Sequence, residues 1–347
     1  MASEIVGGLE GGASNSTAIL LNPQGQVIAT AKGTGTNHHL IGKQECFKKI
    51  ENLFNQAKKQ AGILLDTPIA AIGLSLSGCE EEESNQEFMR ELAKAYPNLA
   101  QQYAIGSDTN GSIATISNNG GIVCIAGTGS NTLLINPNGE RAQCGGWGSV
   151  LGDEGSAWDI ARKAIKYCFD DLDNFEPAPY SIDNLWNLVQ KFFNIKQQTG
   201  ILDYIYKDFD KSRIALMCKS VADLAREGDA LSSHIFQQAG RDLAKSIAAV
   251  AGKASKELTN RDGGLHVICV GSVWLSWDLL QCGFTSFLQK NTSMKKLTLL
   301  RLKTEMGVGA AYMAADRLNL KLERDYSKNY QVFSVYNRAK MCNGVGL

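Results

Sequence analysis

Two stretches decide the architecture of this chain, Ser14-Asn-Ser-Thr-Ala-Ile-Leu-Leu-Asn-Pro-Gln-Gly25 and Thr128-Gly-Ser-Asn-Thr-Leu-Leu-Ile-Asn-Pro-Asn-Gly139. They align without a gap and are identical at Ser16/Ser130, Leu20/Leu134, Asn22/Asn136, Pro23/Pro137 and Gly25/Gly139. Asn-Pro-x-Gly is a common turn sequence, so the windows alone amount to two similar hairpins. The order of elements around each copy turns them into a repeat.

Around the first copy, a strand near Glu4 to Glu10 leads through a glycine-rich turn into a strand at Thr17 to Leu21. The Asn22-Pro-Gln-Gly25 turn then reverses the chain into a third strand at Gln26 to Ala31. A helix follows at about Lys43 to Ala61, with Phe47, Ile50, Phe54, Ala57 and Ala61 spaced along one face. Next come a strand at Ile69 to Leu76, a helix near Ser84 to Ala95 and a strand at Tyr103 to Gly106. Around the second copy, strands at Gly121 to Ala126, Thr132 to Ile135 and Glu140 to Cys144 precede a helix with the stripe Trp158, Ala161, Ile165, Cys168 and Leu172. A largely helical stretch over about 182–258 reads as an insertion, with Ile235, Ala239, Leu243, Ile247 and Ala251 at helical spacing. The strand His266 to Gly271, a helix near Trp274 to Leu288, the strand Lys296 to Leu302 and a helix near Gly307 to Leu318 complete it.

Each half therefore spells β-β-β-α-β-α-β, which predicts an α/β fold of two domains. Their expected bounds are 1–118 and 119–325, and the tail 326–347 carries no assigned structure. The glycine-rich turns join strand to strand, unlike the strand-to-helix turn of a dinucleotide-binding fold. No G-x-x-x-x-G-K-[ST] loop and no protein-kinase motif set occurs.

Composition narrows the partners. Lys+Arg and Asp+Glu balance at 35 each, so no overall positive field attracts nucleic acid or an anionic membrane. Apolar runs such as Ile247 to Ala251 fall far short of the ~18 residues of a membrane span, and the start Met1-Ala-Ser-Glu-Ile5 lacks the pattern of a signal peptide. A cytoplasmic protein acting on small ligands is expected. The 9 cysteines include no C-x-x-C pair, and those in strands, such as Cys124 and Cys269, read as small hydrophobes. The 35 glycines, about 10% of the chain against an average of about 7%, concentrate in Gly7 to Gly12, Gly33 to Gly42, Gly127 to Gly129 and Gly145 to Gly155. That clustering reads as a map of ligand-contacting loops.

The matched turns Glu10-Gly-Gly-Ala-Ser-Asn-Ser16 and Gly127-Thr-Gly-Ser-Asn131 combine glycine backbone, able to aim successive N–H groups at one point, with hydroxyl donors. Facing each other across two similar domains they would clamp a phosphate; singly, each is an ordinary connection between strands. Asp108, just past the strand ending at Gly106, is either a helix N-cap or a general base for a substrate hydroxyl. The run Cys144-Gly-Gly-Trp-Gly-Ser-Val-Leu-Gly-Asp-Glu-Gly-Ser156 reads as a tightly bent binding loop, with Asp153 either a ligand group or a favourable charge at the following helix start. Asn37 and His39 in Thr36-Asn-His-His-Leu-Ile-Gly42 could reach a polar ligand, and Val270-Gly-Ser-Val-Trp274 could contact a nucleotide. Glu10, ending the first strand, is the natural carboxylate for a Mg²⁺ held mostly through water.

These residues together closely resemble the eukaryotic N-acetylglucosamine kinase family, within the superfamily of actin, hexokinase and the heat-shock ATPases. The resemblance covers nearly the whole chain to about Asp325. Its most specific stretches are Thr36 to Gly42, Leu74-Ser-Leu-Ser-Gly78, Gly127 to Asn131, Cys144 to Gly148, Gly152-Asp-Glu-Gly-Ser-Ala157 and Cys269 to Trp274. It implies two actin-like, ribonuclease H-like domains that close around ATP and an amino sugar, with the γ-phosphoryl group passing to the C6 hydroxyl of N-acetylglucosamine. On the same resemblance Asp108 matches the catalytic base, and Gly12, Ser14 and Thr128 fall at phosphate-binding positions. Asn37, Ser130, Asn131, Gly146, Trp147, Gly148 and Asp153 fall on sugar-binding positions, beside Asp108 itself. Ala215, Gly271 and Ser272 match nucleotide contacts, and a homodimer is implied.

The chain departs from the family at Ala13, where glycine is usual, and at His39, where relatives often carry Trp. The zinc-binding cysteine cluster of the related bacterial repressor and sugar-kinase group is missing. Two competing readings remain at this level. One is an activator ATPase of the kind that serves 2-hydroxyacyl-CoA dehydratases, with cysteines holding an iron–sulfur cluster at a dimer interface. The other is a non-catalytic actin-like scaffold or sugar sensor.

Overall fold

The computed structural model describes residues 2–12, 14–79 and 81–339, so the departure at Ala13 lies outside the described residues. The chain forms two compact units, Met1–Gly121 with Leu300–Phe333, and Ile122–Leu299 with Ser334–Leu347.

In the first unit the chain runs β1 (Val6–Gly11), β2 (Asn15–Leu21), β3 (Val27–Thr34), α1 (His38–Ile41), α2 (Lys43–Gln60), β4 (Ile69–Leu76), α3 (Glu82–Ala95), β5 (Ala100–Gly106) and α4 (Asp108–Ile116). The sheet order is β3-β2-β1-β4-β5. β1 lies antiparallel to β2 and parallel to β4, so the hairpin and the crossover meet at one central strand. The α2 stripe behaves as its spacing predicts: Phe47, Ile50, Phe54 and Ala57 are buried against the sheet in one apolar cluster.

The second unit opens with β6 (Gly121–Ala126), β7 (Ser130–Ile135), β8 (Arg141–Gly145), α5 (Gly148–Leu151) and α6 (Ala157–Leu172). The expected insertion holds α7 (Asp183–Phe193), α8 (Lys211–Ala215), α9 (Met217–Arg226), α10 (Ala230–Ala251) and α11 (Lys256–Thr259). Then follow β9 (Leu265–Val270), α12 (Trp277–Asn291), β10 (Lys296–Leu302), α13 (Gly307–Arg317) and β11 (Tyr330–Asn337). The order of this sheet is β11-β10-β9-β6-β7-β8. Apart from the extra edge strand β11, it repeats the first sheet strand for strand. The duplication inferred from the two hairpins is thus a duplication of topology.

Three expectations change. The tail beyond residue 325 is not without structure, because Tyr330–Asn337 forms the edge strand β11. The helix at 307–317 was expected to complete the C-terminal half within 119–325, yet α13 belongs to the first unit. Its Val308, Ala311, Tyr312 and Ala314 pack in a cluster with Val6, Ile19, Ala71 and Ala104 of the first sheet.

Nor are the glycines of β1 mainly ligand loops. A side chain on Gly8 would lie 1.9 Å from the Gly307 carbonyl, one on Gly73 1.9 Å from that of Ala310, and one on Gly309 1.8 Å from that of Gly111. Glycine here lets the α13 backbone rest directly on β1, β4 and α4. Gly73→Ala and Gly309→Ala should each lower stability by about 1–3 kcal/mol or more through overpacking. Gly252→Ala, with nothing within 4 Å and right-handed φ of −63°, should be neutral or slightly stabilising. Thermal or urea unfolding of the three variants checks the ranking.

Candidate active site

The first unit gathers carboxylates. β1 delivers Glu10 one residue before its end, and β5 runs through Ser107 into α4, whose first residue is Asp108. Ser107 occupies the N-cap, with extended φ −67° and ψ 162°, so Asp108 is not the cap and sits one step inside the helix, where the dipole favours negative charge. The Ser107 hydroxyl engages Thr109 Oγ1 at 2.7 Å and donates to Asn110 Oδ1 at 3.1 Å, while its carbonyl accepts from Ser75 Oγ of β4 at 2.9 Å. These bonds fix the turn that presents Asp108. Burial, then the charges of Asp108 and Glu305, push the Glu10 carboxyl up to about 8. Glu305 itself pairs with Lys32 at 2.7 Å.

The hairpin turn of the first unit is held by backbone: the Gly12 N–H donates to Asn15 at 3.0 Å, and the exposed Ser14 accepts from the Gly35 N–H at 2.9 Å. Asn37 caps α1, its Oδ1 accepting the His39 N–H at 3.0 Å. His39 Nε2 lies 3.2 Å from the Gly78 carbonyl, which joins the 36–42 loop to the end of the Leu74 to Gly78 stretch.

The second unit builds a tight cluster around Gly127–Asn131. Asp153 is only 3% exposed and takes left-handed φ +71°, rare for a non-glycine residue. Its Oδ1 accepts the Ser130 N–H at 2.9 Å, and its Oδ2 pairs with Lys211 Nζ at 2.5 Å. Ser130 Oγ donates to the Glu154 carbonyl at 2.8 Å. The cap of α6 is Ser156, so Asp153 is not the helix cap either. None of the backbone hydrogen bonds outside helices and strands among the described residues is donated by the Thr128 or Gly129 N–H, and two adjacent N–H groups in such a turn suit phosphate oxygens.

Asn131 Oδ1 is buried without a partner, and a side chain on Gly146 would lie 3.0 Å from Asn131 Cγ. The Asn131 amide thus lies against the Gly145–Gly152 loop with one acceptor open to a donor from water or a ligand. Gly148 follows with φ +76°, and Trp147, Val150 and Leu151 in the same loop are 69%, 93% and 78% exposed. Gly271, at φ +105°, comes close enough to β6 that a side chain would meet the Ala126 carbonyl at 2.3 Å. This brings the exposed Ser272 beside the start of the turn.

The structure therefore assembles Thr128, Ser130, Asn131, Gly146, Asp153 and Gly271 around one turn. Ala215 is buried in α8, the helix whose first residue, Lys211, touches the turn. Lys211 was not legible beforehand, since its partner Asp153 is 58 residues away and no spacing rule links them. The buried thiols of Cys46, Cys168 and Cys218 are pushed up to about 12 by burial, which makes them poor thiolate ligands.

The profile of the BadF/BadG/BcrA/BcrD ATPase family matches residues 8–314, and the chain belongs to that family. The membership is that of the broad ATPase family and is not specific to eukaryotic kinases. An N-acetylmuramic acid/N-acetylglucosamine kinase of Clostridium acetobutylicum is 24% identical over 88% of this chain and 97% of its own length. An N-acetyl-D-glucosamine kinase of Dictyostelium discoideum is 24% identical over 73% of this chain and 81% of its own. The solved structure of a candidate N-acetylglucosamine kinase from Chromobacterium violaceum superposes with a TM-score of 0.70 at 22% identity, covering 90% of this chain and 99% of that one. The two-sheet α/β architecture is that of the actin-like ATPases. No helix among the described residues is long and apolar enough to cross a membrane.

Glu10 makes a pH prediction. Unfolded, its carboxyl loses its proton near 4.5; folded, it keeps it to about 8. The native state binds more protons across that interval, so stability falls as pH rises through it. Without added metal, the melting temperature of the wild type should decline from pH 5 to pH 8 more steeply than that of Glu10→Gln. Parallel profiles would remove Glu10 from this role.

Proposed function

We propose that this chain transfers the γ-phosphoryl group of ATP to the C6 hydroxyl of N-acetyl-D-glucosamine, giving N-acetylglucosamine 6-phosphate and ADP. The observation that carries the reading is Asp108, a carboxylate presented at the end of a parallel strand by a locked Ser107 turn. Relatives named as kinases of N-acetylglucosamine and N-acetylmuramic acid support it.

Phosphoryl transfer asks a protein for positioning and charge stabilisation more than for covalent chemistry. Asp108 accepts the proton of the attacking hydroxyl. The Thr128 and Gly129 N–H groups and the Thr128 hydroxyl bind phosphate oxygens, and Gly12 and Ser14 serve the same end from the first unit. Asn131, Asn37 and the Gly146-Trp-Gly148 segment orient the sugar, and Ala215, Gly271 and Ser272 line the nucleotide.

Mg²⁺ fits this residue set. Glu10 is buried beside the charges of Asp108 and Glu305, a negative field that a divalent cation would offset. Glu10 would hold the ion together with water and the phosphates. When bound, Mg²⁺ neutralises charge on the transferring phosphates.

The test is a product assay with MgATP and a panel of N-acetylglucosamine, N-acetylmannosamine, N-acetylmuramic acid, glucosamine and glucose. Phosphorylation of N-acetylglucosamine with the highest kcat/KM is expected. Asp108→Asn should lower kcat by about 10²–10⁴-fold while leaving nucleotide affinity within about threefold. ADP release without a phosphosugar, or binding of sugar without turnover, overturns the reading.

A further inference from the structure

The helical insertion supplies a residue to the phosphate turn. We infer that Lys211 is a positioning residue for nucleotide binding, acting through Asp153 on the Gly127–Asn131 turn. The inference rests on the reading of that turn as a phosphate cradle.

Three observations converge. Asp153 is buried and held in a left-handed conformation that costs about 1–3 kcal/mol in an ordinary residue and persists only where its surroundings impose it. Its two carboxylate oxygens have different partners, the Ser130 N–H on one side and Lys211 Nζ on the other. A side chain at Gly129 would lie 2.5 Å from Asp153 Oδ1 and 3.2 Å from Lys211 Nζ, so turn, carboxylate and ammonium form one contiguous cluster.

Lys211 opens α8, whose N-cap Asp210 accepts the Ser212 and Arg213 N–H groups at 2.8 and 3.2 Å. The ammonium is thereby delivered from a capped helix rather than from a free loop. Because Asp153 takes the Ser130 N–H, the donors the turn offers a phosphate in this reading are the Thr128 and Gly129 N–H groups. Removal of the ammonium leaves a buried carboxylate uncompensated, a costly state that the site relieves by moving. That movement loosens the Ser130 bond and re-aims the Thr128 and Gly129 N–H groups.

The test uses the full chain and reads ADP binding by calorimetry without sugar, melting temperature, and KM for ATP against kcat. Lys211→Met should weaken ADP affinity by about tenfold, equivalent to ~1.4 kcal/mol, and raise KM for ATP in proportion. Lys211→Arg, which keeps the charge, should recover most of that loss. Asp153→Asn should weaken affinity similarly, and the Asp153→Asn/Lys211→Met double variant should be no worse than the poorer single one.

A lower melting temperature with wild-type ADP affinity below the transition would make Lys211 merely structural and overturn the inference. If Lys211→Met does not fold, the Asp153→Asn and Lys211→Arg affinities decide, and wild-type binding by Asp153→Asn overturns it. A wild type that binds ADP but phosphorylates no sugar would sink the proposed reaction while leaving this affinity test intact.

Discussion

Backbone-to-backbone contact at a glycine-rich seam sets where the clustered carboxylates of the first unit stand. Gly8 of β1 meets Gly307, Gly73 of β4 meets Ala310, and Gly309 meets Gly111 of α4, all at separations that exclude a Cβ. Each carboxylate lies within a few residues of this seam: Glu10 two positions beyond Gly8 in β1, Asp108 three before Gly111 in α4, and Glu305 two before Gly307 in the turn that enters α13. A change in the packing distance of α13 would move all three. Their mutual field, which holds the Glu10 proton to about 8, is therefore a property of helix packing as much as of residue type.

The repeated strand order was legible because hairpin chemistry is local. Asn-Pro-x-Gly fixes a turn within four residues, and the flanking strands follow from it. The destination of α13 was not legible. Its small and apolar residues, Val308, Ala311, Tyr312 and Ala315, announce a buried face, but periodicity does not say which sheet receives it. Glycine content has the same ambiguity, since a glycine needed for close helix contact and one needed for a bent loop look identical in sequence. Gly8 belongs to the first kind and Gly148 to the second.

Residue type identified Asp108, Glu10 and Asn131 as polar groups at strand ends, and the structure adds what each faces. Asp153 shows the limit of that approach. A lone Asp in a glycine-rich loop reads as a ligand group or a helix cap; the structure excludes the cap and adds a protein partner for each of its oxygens. Its partner Lys211 lies in the insertion, where a lysine at a helix start carries no signal of its own.

The two copies of the repeat show how one fold position acquires different chemistry. Ser16 and Ser130 are equivalent, yet the Ser16 hydroxyl pairs with Thr36 Oγ1 at 2.9 Å, within its own unit. Ser130 instead donates its hydroxyl to Glu154 and its N–H to Asp153. Asn22 and Asn136 diverge likewise. Asn22 Oδ1 closes its own turn by accepting from Gln26, whereas Asn136 reaches out to Lys253 and Ser255 at the end of the insertion. In the second copy, then, positions that are locally satisfied in the first have become attachment points, at Asn136 directly and at Ser130 through Asp153, for helices that only that copy possesses. The insertion is thus bonded to Asn136 directly and to Ser130 through Asp153, so both ends of the β7 segment are held from the helical side as well as by its sheet.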